Sequence, residues 1–355
     1  MVCSASTVLN KESVQKEHEE VDLEDSPFID HTPLDSIRTK ILRYRANAKY
    51  IHEPHKQDLL FHGIVDLTPS SSTKLREVID DDEINILTSK LMKDEINKEH
   101  IHELKEFAFG VFHDKDNSQN LEKILKAAKL ALVDQNDDDC QSKKQVLKMM
   151  KHCLRSHEDG KSSLLLKQGE MNYIVSFMGP LIKTLLQYNA DKMKLIWGDQ
   201  SLEVDKQEKQ SVQKDDERRA QGKIPDAIIY LTNHDYPFVI LEVSGPPNIT
   251  NHNHFVGDKI KMAKHLKCIL KSLRRTISSG DEGIYEEINV YGIQVYLNKM
   301  YIYSFSQPFR GVYVYREELS FALTRPFGLQ KNFLPRLVKS MFIVKVCMKT
   351  YHFSI

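Results

Sequence analysis

No stretch of about 18 consecutive apolar residues occurs in the 355-residue chain, so a membrane span is not expected. Cysteine is scarce. The five (Cys3, Cys140, Cys153, Cys268 and Cys347) are scattered and odd in number, which excludes a disulfide framework and predicts reduced thiols. The first residues lack the apolar core of a secretory signal, and together these features predict an intracellular protein, nuclear or cytoplasmic. Charge of one sign is lacking too: Lys plus Arg and Asp plus Glu are 50 each, so any attraction to nucleic acid must be local. No glycine-rich loop follows a strand, which argues against P-loop and dinucleotide binding, and there is no serine nucleophile elbow.

What is present is enough apolar residue (41%) for a real core and enough charge (28%) for solubility. Residues 1–30 are rich in Glu, Asp, Lys and Ser and read as disordered. Residues 31–160 read as a helical region. Helical period runs from Leu34 to Ile51, Asp82 to Asn97 and Asn120 to Leu132, and the acidic run 134–139 reads as a solvated loop. From 161 to about 325 the composition shifts. A helix is expected over 165–190, with a kink or break at Pro180. A short strand is expected at Met193–Trp197 and a charged surface loop over 201–223. Two apolar strands then follow, 225–231 and 237–244. A long helix is expected from Phe255 to Ile277, then strands at 288–297, 300–305 and 311–315, with a turn at Asn298-Lys299. Residues 326–355 read as a C-terminal helical segment.

The two central strands carry the chemistry. A hairpin centred on His234 pairs Asp226 with Glu242, Ile228 with Ile240 and Tyr230 with Phe238. Directly opposed residues share a face with Cβ atoms ~5 Å apart. Two carboxylates that close repel and call for a proton, a cation or open water. An Asp and a Glu so placed suit a hard divalent cation. The alternative is an ordinary hairpin with acids at solvated strand ends.

The succession helix, strands, helix, strand, with Glu170, Pro225-Asp226, Glu242-Val243-Ser244 and the helix around Lys259, resembles the PD-(D/E)XK nuclease superfamily. The likeness covers roughly residues 165–316. It also resembles fungal proteins carrying degenerate versions of this core. The resemblance implies an α/β fold: a restriction-endonuclease-like α-β-β-β-α-β core with a mixed sheet, after a helical N-terminal region. It implies Mg²⁺ held by Asp226, Glu242 and the Val243 carbonyl, with Glu170 as an accessory acid. The family's lysine is replaced here by Ser244, which cannot supply positive charge. Some members move that lysine to the neighbouring helix, where Lys259, Lys261 and Lys264 are available. Lys261 or Lys264 is expected to take the role.

That helix is basic in a chain of zero net charge. Lys259, Lys267 and Lys271, extended by Arg218 and Arg219, could track a nucleic-acid backbone; a solvated outer face is the commoner meaning of such a charge run. Asn251-His252-Asn253-His254 reads as a polar loop, and the aromatics from Tyr291 to Tyr315 as cross-strand core pairs rather than base-stacking groups. Two functions follow: Mg²⁺-dependent cleavage of DNA or RNA, or a catalytically inactive nuclease-fold module that binds nucleic acid or protein. The sequence leaves the oligomeric state open.

Overall fold

A computed structural model describes residues 33–48, 58–69, 71, 74–91, 98–111, 121–133, 138–155, 164, 166–187, 192–198, 201–211, 224–232, 235–276, 288–323 and 330–349. The expectations for 1–30 and for Arg218 and Arg219 lie outside these residues. The N-terminal part holds helix α1 (Pro33–Ala48), strand β1 (Ile64–Asp66), and helices α2 (Lys74–Val78), α3 (Asp81–Leu91), α4 (Lys98–Gly110), α5 (Leu121–Leu130) and α6 (Asp138–Arg155). Then come α7 (Glu170–Tyr173), a π-turn (Ile174–Met178), α8 (Gly179–Leu186), β2 (Met193–Trp197), α9 (Glu203–Ser211), β3 (Ala227–Leu231), β4 (Tyr236–Val243) and α10 (His252–Thr276). Strands β5 (Asn289–Tyr296), β6 (Lys299–Phe309) and β7 (Val312–Ala322) precede α11 (Gln330–Lys349).

The fold is α/β. Seven strands form one mixed sheet in the order β1-β7-β6-β5-β4-β3-β2. Strands β2, β3 and β4 form an antiparallel meander, and α10 then carries the chain to β5, which runs parallel to β4. The interior strand β4 is apolar on both faces because both faces are covered; all of it after Tyr236 is buried. The aromatic ladder is core, as read: Tyr303 stacks on Tyr315 at 4.8 Å and Phe305 on Tyr313 at 5.8 Å, all four buried.

Helix α10 forms because its apolar positions fall on one stripe. Met262, Ala263, Leu266, Ile269, Leu270 and Leu273 are all buried. It starts three residues earlier than expected because Asn251 caps it: its Oδ1 accepts from the His254 N–H at 3.0 Å. The stripe sits on β5 at Gly292, where a Cβ would stand 2.2 Å from the Met262 sulfur.

Three local expectations change. The break expected at Pro180 is instead one wide π-turn before α8, with Pro180 in the first turn of α8, where a missing N–H is tolerated. The charged stretch after 201 begins as helix α9 rather than a loop, anchored by buried Leu202 and Asp205. The β5–β6 turn is Leu297-Asn298, one residue earlier than expected. Leu297 adopts φ +54° there.

The N-terminal region is not purely helical. Strand β1 pairs parallel to β7 (Ile64 with Tyr313, Asp66 with Tyr315), so the sheet draws on both halves of the chain. A second, smaller core forms around it from Ile37, Ile41, Val65, Ile79, Leu87 and Val314. Helix α3 opens with a reciprocal capping box: Glu83 N–H donates to Asp80 Oδ1 at 2.9 Å, and Asp80 N–H to Glu83 Oε2 at 3.1 Å. Lys40 of α1 bridges both carboxylates at 3.1 and 2.7 Å, which docks α1 on α3.

The tight seat of α10 gives a direct test. Gly292→Ala overpacks the Met262–Leu266 contact and lowers unfolding stability by about 1–3 kcal/mol in urea titrations. Met262→Ala in the same chain recovers part of that loss, a coupling of the kind expected between touching residues.

Candidate active site

The β3–β4 hairpin brings the expected carboxylates together. Ala227 pairs with Leu241 and Ile228 with Ile240, so Asp226 falls one step beyond the ladder, opposite Glu242. The register then shifts between Ile229 and Tyr230, and Tyr230 pairs with Pro237, not with Phe238. Pro237 has no N–H to give a regular ladder, which accounts for an irregularity there. Asp235 takes the left-handed conformation that re-enters β4, with φ +47°.

Asp226 is tied to the neighbouring strand: its Oδ2 accepts from the Val243 N–H at 2.5 Å. Glu242 is 2% exposed. Burial pushes its carboxyl up to about 8, with Asp226 pushing the same way and Lys261 opposing. Lys261 of α10 reaches across from the helix. Its Nζ lies 2.9 Å from both Glu242 oxygens and donates to Oε2, while also reaching the Ile224 carbonyl at 3.3 Å. Oε1 of Glu242 is buried without a hydrogen-bond donor. Asp226 is also raised, first by burial, against the pull of the Val243 N–H and of Lys261.

Glu170, the first residue of α7, faces the same place. Burial raises its pKa first and Asp226 second, while a hydrogen bond from the backbone of Gly245 lowers it. Gly245 follows β4 with φ +91°, a conformation suited to glycine. A Cβ there would lie 3.9 Å from the His254 ring. His254 in turn pairs with Asp258, Nε2 to Oδ2 at 3.1 Å, one helical turn on. His254 and Asp258 were missed because the 251–254 stretch reads as loop; only placement in the first turn of α10 shows their i,i+4 spacing.

Ser244 has a structural role. It is fully buried, and its hydroxyl accepts from Gln294 Nε2 at 2.8 Å. Gln294 also donates to the Phe255 carbonyl at 2.7 Å and accepts from Tyr303 at 3.3 Å. A lysine at 244 would break this network.

The remaining basic residues divide. Lys259 is 5% exposed; it donates to Asp66 at 2.8 Å and to Thr68, and lies over the Tyr315 ring. It is an internal tie to β1, not a phosphate contact. Lys267 donates to the His62 carbonyl at 2.9 Å and lies 4.8 Å from the centre of the Tyr313 ring. That engagement removes it from an open basic track. Lys264 and Lys271 are half-buried on the same helix. The Val243 carbonyl already accepts from the Gly245 N–H at 2.9 Å, so a metal would meet only its second lone pair.

A carboxyl whose folded pKa is raised contributes stability that is complete below its ordinary value and is lost as pH rises through the folded one. In EDTA, the unfolding stability therefore falls between pH 4.5 and about 8 through Glu242, with Asp226 and Glu170 acting in the same direction. Glu242→Gln flattens this part of the curve in urea titrations run at several pH values. A Glu242→Gln curve that keeps the wild-type slope would assign it to other groups. Compared with protein-family models, curated proteins and solved structures, the chain matches none. The reading of the site rests on its geometry.

Proposed function

We propose that the protein is a Mg²⁺-dependent phosphodiester hydrolase acting on nucleic acid, with a restriction-endonuclease-like core. The observation that carries this reading is Lys261, which delivers from α10 the positive charge that position 244 lacks, directly onto Glu242 and beside Asp226. The core order supports it: helix, antiparallel meander, crossover helix, parallel strand.

The donor set fits a small hard cation. Glu242 Oε1 is a buried oxygen that makes no hydrogen bond, and its charge is met by the Lys261 ammonium 2.9 Å away, which a metal ion would join. Asp226, Glu242 and the Val243 carbonyl would hold it, a smaller protein share than a group of three or more His, Cys, Asp or Glu, which does not occur among the described residues. Mg²⁺ accepts so small a protein share because it keeps several waters. When bound, it polarises the phosphate and lowers the pKa of the attacking water. Lys261, with 27% of its side chain exposed, can hold a phosphate oxygen or a water at the cleft while still touching Glu242. Glu170, with its raised proton affinity and its charge coupled to Asp226, suits proton transfer at the site.

One observation favours the second reading, an inactive binding module. Glu242 is nearly sealed and already neutralised by Lys261, a state that needs no metal. Cleavage of a nucleic-acid substrate in Mg²⁺ separates the two. Asp226→Ala abolishes cleavage, and Lys261→Ala lowers it about 10²–10³-fold, the loss typical for one charge-stabilising donor. Equal cleavage by wild type and Asp226→Ala sinks the hydrolase reading.

A further inference from the structure

A groove of about 1180 Å³ runs along α7 and α8 and ends at Asp226. Two periodicities build its walls. Met171, Val175 and Lys183 fall on one helical row, and Met193, Leu195 and Trp197 alternate along one face of β2. Strand β2 is the edge of the sheet, so no further strand covers it among the described residues. Met171 is 66% exposed and Val175 64%. Large apolar side chains left in water beside one another mark a contact surface. The π-turn and Gly179 shape the same wall: a Cβ on Gly179 would lie 3.8 Å from the Trp197 indole. Wide turns of this kind recur at functional sites.

The charges in the groove are ordered as well. Lys148 and Lys183 stand in its lining, and among the described residues that line it Asp226 is the carboxylate. Its volume exceeds the ~300–1,000 Å³ of ordinary small-molecule pockets, so an extended ligand suits it better than a compact one. An unpaired nucleic-acid strand offers what these walls ask for. Its base faces can lie on Trp197, Met171 and Val175, and its phosphates can meet the lysines. A duplex keeps its base faces stacked inside and would press phosphates against apolar wall, which costs desolvation without compensation. We propose that this groove binds a single strand of nucleic acid and leads it to Asp226. The inference rests on the phosphodiester reading and narrows its substrate to unpaired strands.

Trp197 is the only tryptophan of the chain, so its fluorescence reports on the groove alone. In EDTA, where no cleavage occurs, oligo-dT or oligo-U of about 12 nucleotides quenches it, within the ~4–16-nucleotide sites of single-strand binders. The affinity falls as salt rises. A duplex of equal length binds about tenfold more weakly or less. Val175→Asp, at an exposed position, weakens the strand about tenfold with an unchanged far-UV spectrum. Asp226→Asn keeps binding while cleavage is lost. Several results overturn the inference even if cleavage is present: no response to either oligonucleotide, preference for the duplex, wild-type binding by Val175→Asp, or quenching by an apolar peptide or fatty acid alone. Strand binding as described, with no cleavage by the wild type, supports the groove and counts against the hydrolase.

Discussion

Helix α10 lies on β5 at a distance that only a glycine on the strand allows, and that seat sets where its lysines reach. From it Lys259 meets Asp66 on one side and Lys261 meets Glu242 on the other. Two positions apart on a helix, they point in different directions. One fastens the helix to the far edge of the sheet, and the other delivers charge to the carboxylates. A small retreat of the helix would loosen both, and would leave Glu242 as a buried charge without its partner, an expensive state.

The site is therefore a balance of buried charge. Burial raises the pKa values of Glu170, Asp226 and Glu242, the charge of Asp258 adds to all three and that of Asp226 to the other two, while Lys261 and His254 oppose them. Ser244 belongs to another economy, that of neutral hydrogen bonds through Gln294. The lysine missing from β4 and the lysine present on α10 are two sides of one arrangement: the strand position is filled by a network that tolerates no charge, and the helix reaches the acid instead.

The central hairpin was legible because two apolar runs flank one short polar turn, and Ile228–Ile240 follows from centring the pair on that turn. The local slip beyond Ile229 was not, since a proline's effect on a ladder depends on which strand lies beside it. Helix α10 was legible from its stripe, but its first turn was hidden among polar residues that also suit loops. Strand β1 has three residues, too few for any periodicity to show, so the contribution of the N-terminal half to the sheet could not be read. For the same reason Lys259 looked like surface charge: its partner, Asp66, is 193 positions away. Lys261 was among the candidates because the resemblance allows the missing lysine to move to this helix; counting along the stripe did not single it out.

That long separation has a consequence for how the chain folds. Among the described residues strand β1 pairs with β7 alone, near the other end of the chain, so its backbone partners arrive late in synthesis. Contacts of such sequence separation carry a large loop-closure cost and slow the approach to the native state. The strands β2 to β5 and helix α10 can come together from nearer neighbours. The bond from Lys259 to Asp66 spans that separation, so the helix that serves the carboxylates is tied also to the β1 end of the sheet.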